Sequence, residues 1–175
     1  SVLVLADRRR TCTTARGSLP WLRCGWSGGL GRFERYRDAA SGSRDERLLW
    51  ALWSAKWLTA ARLVDLGVTI LCLDSDAFVL ANPFELLNAP PLSHYAMIVP
   101  TEGARVTIGR LYVRGGATAP GGGVSSVLWD VVRRLRLFTE EETLVEEAGP
   151  SMGRPKLLGL WDQGLFTDAL ASAAR

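Results

Sequence analysis

The stretch TILCLDSDAFVLANP, residues 69–83, joins an apolar run to two acidic residues that stand one residue apart. An uninterrupted apolar run is typical of a strand that is covered on both faces, and a carboxylate could not lie unpaired inside such a strand. We therefore predict a buried strand over residues 68–73, with Asp74 and Asp76 at its exit, where the chain reaches an opening.

The composition of the 175-residue chain, 47% hydrophobic and 22% charged, indicates one globular domain with a hydrophobic core. The net charge is only +3 and the basic residues are scattered, so we expect no nucleic-acid partner. No apolar run reaches the length of a transmembrane helix. The chain opens directly on the strand-like SVLVLAD, and we therefore interpret residues 1–175 as a single but partial domain, cut from a longer protein.

The three cysteines leave the redox compartment open. Cys72 lies in the predicted buried strand, where a small apolar thiol fits well. Cys12 and Cys24 lie in sequence typical of loops and could pair in an oxidising compartment, but two cysteines without a partner pattern do not decide this. The sequence has no CxxC pair, which argues against a structural zinc site.

Strand and helix alternate along the first half of the chain. Residues 1–6 are predicted as a buried strand, and residues 8–43 as a loop with one short element near Phe33. A helix over residues 45–66 follows and ends at Gly67 in the left-handed conformation. Three tryptophans share one stripe of this helix: Trp50, Trp53 and Trp57. The buried strand follows at once, and this helix-to-strand step is typical of a mainly parallel sheet.

The second half continues the pattern. Strands are predicted over residues 95–100 and 105–114, and helices over residues 139–149, after a capping pattern, and from Asp162 onward. A further helix between them has one apolar face, formed by Val124, Leu128, Val131, Val132, Leu135 and Phe138. The elements together predict an α/β fold, with a mostly parallel sheet and helices on its faces.

The two acids have one chemical and one structural interpretation. Ligands of open α/β sheets bind at the carboxyl ends of the strands, where Asp74 and Asp76 are predicted. Two carboxylates at this spacing can both reach Mg²⁺ or Mn²⁺, which take oxygen ligands and keep substrate phosphates in their remaining positions. Such an ion could clamp a diphosphate and neutralise a leaving nucleotide. The alternative is a turn in which Asp74 caps the strand end and Asp76 is solvated.

Four motifs stand in a characteristic order along residues 48–170: Lys56 on a helix, Asp74-Ser75-Asp76 followed by Pro83, TIGRLYVRGG at residues 107–116, and WDQGLF at residues 161–166. In this order they resemble the nucleotide-sugar-dependent glycosyltransferases of the GT-A fold. The resemblance is closest to the plant and algal nucleotide-diphospho-sugar transferase family that includes arabinosyl- and xylosyltransferases. It implies a Rossmann-like, mostly parallel sheet with helices on both faces, truncated at one or both ends. The chain departs from the family pattern at Thr107, where an asparagine is expected, and at Arg110, which replaces an aromatic residue.

The resemblance implies a role for each matching residue. Asp74 and Asp76 would hold the Mn²⁺ or Mg²⁺ ion. Five residues would bind the nucleotide-sugar donor: Lys56, Asp74, Ser75, Thr107 and Gly109. Asp162 would be a general base or a charge stabiliser near the anomeric carbon, and Gln163 would bind sugar hydroxyls.

Several of these residues also have a structural explanation. Lys56 could lay its stem along a tryptophan, Gly109 could mark a bulge, and Asp162 could be an ordinary helix N-cap. His94, the single histidine, is interpreted as a loop residue or as a partly buried, hydrogen-bonded histidine rather than as a metal ligand. Arg114 could line a flexible rim or end a solvated strand.

The predicted function is the metal-dependent transfer of a sugar such as arabinose or xylose from a nucleotide diphosphate to a glycan or glycoprotein hydroxyl. The metal and Lys56 would stabilise the departing diphosphate. Two alternatives stay open: a catalytically silent GT-A-like module that binds a glycan or a partner, and a metal-dependent phosphatase that uses the same acids. By resemblance alone, we expect a type II membrane protein that faces the Golgi lumen, with its membrane anchor outside residues 1–175.

Overall fold

The computed structural model describes residues 3–6, 9–21, 23–26, 44–74, 77–102, 105–116, 122–140 and 162–174. The chain divides into two compact units, Ser1–Lys56 with Phe138–Gly159, and Trp57–Leu137 with Leu160–Arg175. In the described ranges, no helix combines the length and the apolar character that crossing a bilayer requires.

The first unit contains a strand, a helix and a second strand that pairs with the first. Strand β1 (Leu3–Ala6) and strand β2 (Arg23–Trp26) run parallel, and helix α1 (Arg9–Ser18) connects them and packs on both. The predicted strand over residues 1–6 is therefore confirmed where the structure describes it.

The predicted loop over residues 8–43 is wrong at α1 and at β2, whereas Phe33 lies outside the described residues. Helix α1 cannot be recognised from apolar periodicity, because Cys12 is its only buried residue and the helix has no apolar stripe. Cys12 forms a disulfide with Cys24 on β2, with the two Cα atoms 5.4 Å apart. This covalent bond holds the helix to the sheet in place of a hydrophobic face.

We expect reduction of the Cys12–Cys24 disulfide to destabilise the first unit by about 3 kcal/mol, since the bond closes a short loop in the unfolded chain. Urea unfolding followed by circular dichroism, with and without dithiothreitol, measures this loss. Cys72→Ser is the matched control, because Cys72 is not part of the Cys12–Cys24 disulfide and its replacement leaves that bond in place. Equal urea midpoints for the reduced and oxidised protein would contradict the role of the disulfide.

The second unit contains a three-stranded antiparallel sheet. Strand β3 (Ile70–Leu73) and strand β4 (Met97–Ile98) both pair with the central strand β7 (Arg110–Val113). Between β4 and β7 the chain forms a separate hairpin of β5 (Thr101–Glu102) and β6 (Arg105–Val106). The predicted strand over residues 95–100 is thus shorter than expected, and the one over residues 105–114 is broken by a turn.

The predicted mostly parallel, Rossmann-like GT-A sheet with helices on both faces is wrong. Among the described residues, parallel pairing occurs only between β1 and β2, whereas β7 runs antiparallel to both of its neighbours. Parallel pairing needs a long crossover, usually a helix, whereas the described residues between β4 and β7 form only the β5–β6 hairpin, so the short connection explains the antiparallel direction of this pair. Strand β3 is also not covered on both faces: Ile70 is buried, but Leu73 is exposed.

Helix α2 (Arg44–Asp65) ends as its sequence predicts. Gly67 has a φ of +75°, its N–H donates to the carbonyl of Val64, and the N–H of Val68 donates to the carbonyl of Leu63. These two bonds form the helix ending that a left-handed glycine permits. The backbone at residues 67–69 then passes directly against Gly115, where any Cβ would collide with the carbonyl of Gly67.

Three further helices complete the second unit: α3 (Pro83–Leu87), α4 (Gly123–Glu140, most of which lies in this unit) and α5 (Asp162–Ala173). The predicted helices at α4 and α5 are confirmed, whereas the helix predicted over residues 139–149 lies almost wholly outside the described residues. The core is formed by fully buried side chains from α2, β7, α4 and α5: Trp57, Ala61, Val64, Leu111, Val113, Leu128, Val131, Leu135 and Phe166.

A carboxylate joins α2 to α4 beside this core. Asp65 accepts hydrogen bonds from the hydroxyl of Ser125 and, at 2.7 Å, from Nε1 of Trp129. These two hydrogen bonds lower the pKa of Asp65 below its ordinary value of 3.8, against a smaller opposing effect of burial. The ionised carboxylate is therefore the form that stabilises the contact between the two helices.

The stability that Asp65 contributes should be present above a pH of about 3.8 and should be lost as the pH falls through the lowered pKa of the folded state. We expect Asp65→Asn to lower the melting temperature at neutral pH, and we expect this effect to shrink as the pH falls below 3.8. Thermal unfolding of both proteins across this pH range measures the difference. Asp168→Asn is the control, because Asp168 is exposed, and it should change the melting temperature little at either pH. An effect of Asp65→Asn that does not depend on pH would contradict this role of the Asp65 carboxylate.

Candidate functional site

Asp74 directly follows β3 and has an exposed side chain. Its N–H donates to the carbonyl of Gly109 at 2.9 Å, and its own carbonyl accepts from the N–H of Ala77 at 3.0 Å. The backbone of Asp74 is thus fixed on both sides. The acid lies at the exit of the strand, where the apolar run ends.

Gly109 lies opposite Asp74, just before β7, in the turn that precedes the strand. A Cβ placed on Gly109 would lie 2.8 Å from Oδ2 of Asp74, which is closer than real Cβ atoms come to other atoms. A glycine inside a predicted strand indicates a close approach or a bulge. The close approach is to the carboxylate of Asp74.

Asp76 and Ser75 lie outside the described residues, so the geometry of the acid pair rests on Asp74 alone. Within the described ranges, His, Cys, Asp and Glu side chains form no group of three that could hold a metal ion. The exposed carboxylate of Asp74, lying over the bare Cα of Gly109, fits a hard divalent cation as one oxygen ligand. A complete ligand set would need the oxygen of Asp76 as well.

Thr107 lies in the segment between the β5–β6 hairpin and Gly109. Its N–H donates to the carbonyl of Pro100 at 2.8 Å, and its side chain is half-buried. Helix α5 packs against β6, which immediately precedes Thr107. The second unit therefore brings the helix that begins at Asp162 against the strand that leads to Thr107 and Gly109.

Asp162 is the first residue of α5, and its side chain is only 4% exposed. Its Oδ2 accepts a hydrogen bond of 3.0 Å from Nε1 of Trp57, which is fully buried. The indole of Trp57 also stacks on Phe166, with ring centroids 4.9 Å apart. Gln163 is half-buried, and its carbonyl accepts a hydrogen bond from the hydroxyl of Thr167.

Two other residues were considered from the sequence, Lys56 and His94. Lys56 is half-buried and is the last residue of the first unit before the division within α2, so it does not belong to the unit that holds Asp74. His94 is exposed and ends a single 3₁₀ turn, Leu92–His94. Its position agrees with a loop residue, as the sequence predicted.

Arg114 has a structural role that the sequence does not predict. Its guanidinium donates to Oδ1 of Asn88 at 2.9 Å and to the carbonyl of Leu87 at 3.1 Å, and it lies over the ring of Tyr112. It thus binds the C-terminal end of α3 to β7. The strand periodicity gave no signal for this contact, because Asn88 is remote in sequence.

Asn82 caps the N-terminus of α3, and Pro83, which follows the two acids in the family motif, is the first residue of this helix. Oδ1 of Asn82 accepts from the N–H of Phe84 at 3.1 Å, and Pro83 occupies the first turn. Both features are typical of a helix start. The proline after the acids therefore has a local structural cause.

Comparison with family models, with curated proteins and with solved structures finds no match to this chain.

We expect Trp57→Phe to destabilise the second unit by about 1–3 kcal/mol, since the buried carboxylate of Asp162 loses the indole donor while an aromatic ring is kept against Phe166. Chemical unfolding measures the change. Trp129→Phe is the matched control, because it removes an indole hydrogen bond to Asp65 from a more exposed side chain and should cost less. A larger loss for Trp129→Phe would show that burial of Asp162 does not set the cost.

Proposed function

We propose that the second unit binds a nucleotide diphosphate through a divalent cation held by Asp74 and Asp76. In this proposal the protein transfers a sugar such as arabinose or xylose from that nucleotide to a glycan or glycoprotein hydroxyl. The observation that carries the proposal is the exposed carboxylate of Asp74, which lies at the exit of β3 with its backbone fixed and its side chain over Gly109.

The cation would be Mn²⁺ or Mg²⁺, since both take carboxylate oxygens and share their remaining positions with phosphate oxygens. When bound, it would neutralise the charge that develops on the leaving diphosphate. Asp74 supplies one ligand oxygen, and the sequence offers Asp76 for a second. Ser75 and Thr107 would contact the donor.

Asp162 takes the role of a charge stabiliser more readily than that of a general base. Its carboxylate is almost completely buried and is oriented by Nε1 of Trp57, so its position is fixed before any substrate binds. A fixed charge near a developing positive centre stabilises a transition state without reorganisation. Gln163, which follows it at the start of α5, would bind sugar hydroxyls.

A silent module that binds a glycan or a partner is the second candidate. The hydrogen bond from Trp57 supports this candidate. An acid at the start of α5 that accepts from a buried indole has a structural reason to be there without any substrate. The two candidates differ in whether metal and nucleotide bind together. The Golgi location and the membrane anchor stay predictions under either candidate.

Calorimetric titration of the full 175-residue chain with uridine diphosphate, with and without Mn²⁺, tests the proposal. We expect binding only when Mn²⁺ is present, and we expect Asp74→Ala to weaken it by at least about tenfold, because one metal ligand is lost. Asp168→Ala removes an exposed carboxylate from α5 and is the matched control.

Each alternative has its own outcome. Absence of metal-coupled nucleotide binding would overturn the transferase proposal and favour the silent module. Release of phosphate from simple phosphate esters, without hydrolysis of a nucleotide sugar, would favour the phosphatase instead. Equal affinity of Asp74→Ala and the parent protein for uridine diphosphate with Mn²⁺ would show that Asp74 is not a metal ligand.

A further inference from the structure

Gly109 and Asp74 face each other one step beyond the end of a strand pair. The last pair of the β3–β7 ladder joins Leu73 to Arg110, and the bond from the N–H of Asp74 to the carbonyl of Gly109 continues the same register. Residues directly opposite in an antiparallel pair project to the same face of the sheet, with Cβ atoms about 5 Å apart. Any side chain at position 109 would therefore stand beside that of Asp74.

The carboxylate of Asp74 occupies the space that this side chain would take. Measured from the position of a Cβ on Gly109, Oδ2 lies at 2.8 Å, Cγ at 3.4 Å and Cβ of Asp74 at 3.8 Å. All three of these neighbours belong to Asp74, and the carboxylate oxygen is the nearest. The side chain of Asp74 thus lies across the bare Cα of the glycine.

The backbone of Gly109 does not itself require glycine. Among the described glycines, only Gly67 and Gly116 have a positive φ, both at 75°. An alanine could therefore adopt the backbone conformation at position 109. A Cβ at position 109 would instead meet the flexible end of the Asp74 side chain, which would have to move.

We propose that Gly109 is a positioning residue that sets the direction of the Asp74 carboxylate, rather than a residue that touches the donor. The inference rests on the proposed function for its purpose, since the carboxylate is the group that would bind the cation. A methyl group at position 109 pushes Oδ2 away and turns the Asp74 side chain into another rotamer. The cation then loses an oxygen ligand although the acid is still present.

The first test measures the rotamer of Asp74 without any ligand. In the parent protein, three-bond couplings to Cγ of Asp74 should report one χ1 rotamer, with a nuclear Overhauser contact to the α protons of Gly109. In Gly109→Ala we expect a different or an averaged rotamer, while the amide of Asp74 stays protected from hydrogen exchange because its bond to the carbonyl at position 109 is kept. An averaged rotamer in the parent protein would overturn the inference even if the variant does not fold.

The second test measures the affinity for Mn²⁺ alone by electron paramagnetic resonance. We expect Gly109→Ala to weaken it by about tenfold or more, as loss of a group that orients a ligand does at metal sites. Asp74→Ala with Gly109→Ala should bind no more weakly than Asp74→Ala by itself, because the glycine acts only through that carboxylate. Gly123→Ala is the matched control, since an added Cβ there meets no atom within 4 Å.

The outcomes separate the inference from the proposed function. An unchanged rotamer and unchanged Mn²⁺ affinity in Gly109→Ala would overturn the inference. Additive losses in the double variant would overturn it too, because the glycine would then act by another route. If the rotamer shifts as expected but the parent protein shows no Mn²⁺-coupled nucleotide binding, the positioning role stands and the proposed function fails.

Discussion

The antiparallel pairing of β3 with β7 fixes the arrangement on which the second unit depends. It sets Leu73 against Arg110 and thereby brings Asp74 opposite Gly109, which are 35 positions apart in the sequence. It also buries Leu111 and Val113 in the core that α2, α4 and α5 cover. A shift of one residue in this register would turn both apolar side chains toward the opposite face and would separate the acid from the glycine.

At the start of α5, one hydrogen bond satisfies two buried polar groups at once. A buried carboxylate is costly unless it is hydrogen-bonded, and Nε1 of Trp57 supplies a bond that also gives the indole a partner inside the core. The stack of Trp57 on Phe166 is a second contact between α2 and α5. If Asp162 takes part in the proposed sugar transfer, its orientation depends on the packing of the core, because Trp57 both donates to its carboxylate and stacks on Phe166.

Local signals in the sequence were sufficient for three of the described helices, α2, α4 and α5, and for the position of the first acid. The end of α2 at Gly67, the apolar face of α4 and the start of α5 at Asp162 each depend on neighbours within a turn or two, and each was predicted. Sheet direction was not, because an apolar run such as residues 69–73 packs equally well in parallel and antiparallel pairs. Helix α1 was missed since a disulfide, and not an apolar stripe, holds it. The contact of Gly109 with Asp74 depends on strand register, which pairs residues remote in sequence and leaves no local trace.

The crossing of Gly115 with the backbone of residues 67–69 has a consequence for how this sequence can diverge. Two stretches of main chain touch there, and the N–H of Gly115 donates to the hydroxyl of Thr69 at 2.9 Å. Surface positions and even core positions accept other residues when volume is kept, but this position accepts no larger residue without moving a helix end away from a strand. In distant relatives of this chain, we therefore expect a glycine a few residues after the central strand to be kept even where the surrounding sequence has changed. That glycine would show which positions of the two sequences correspond.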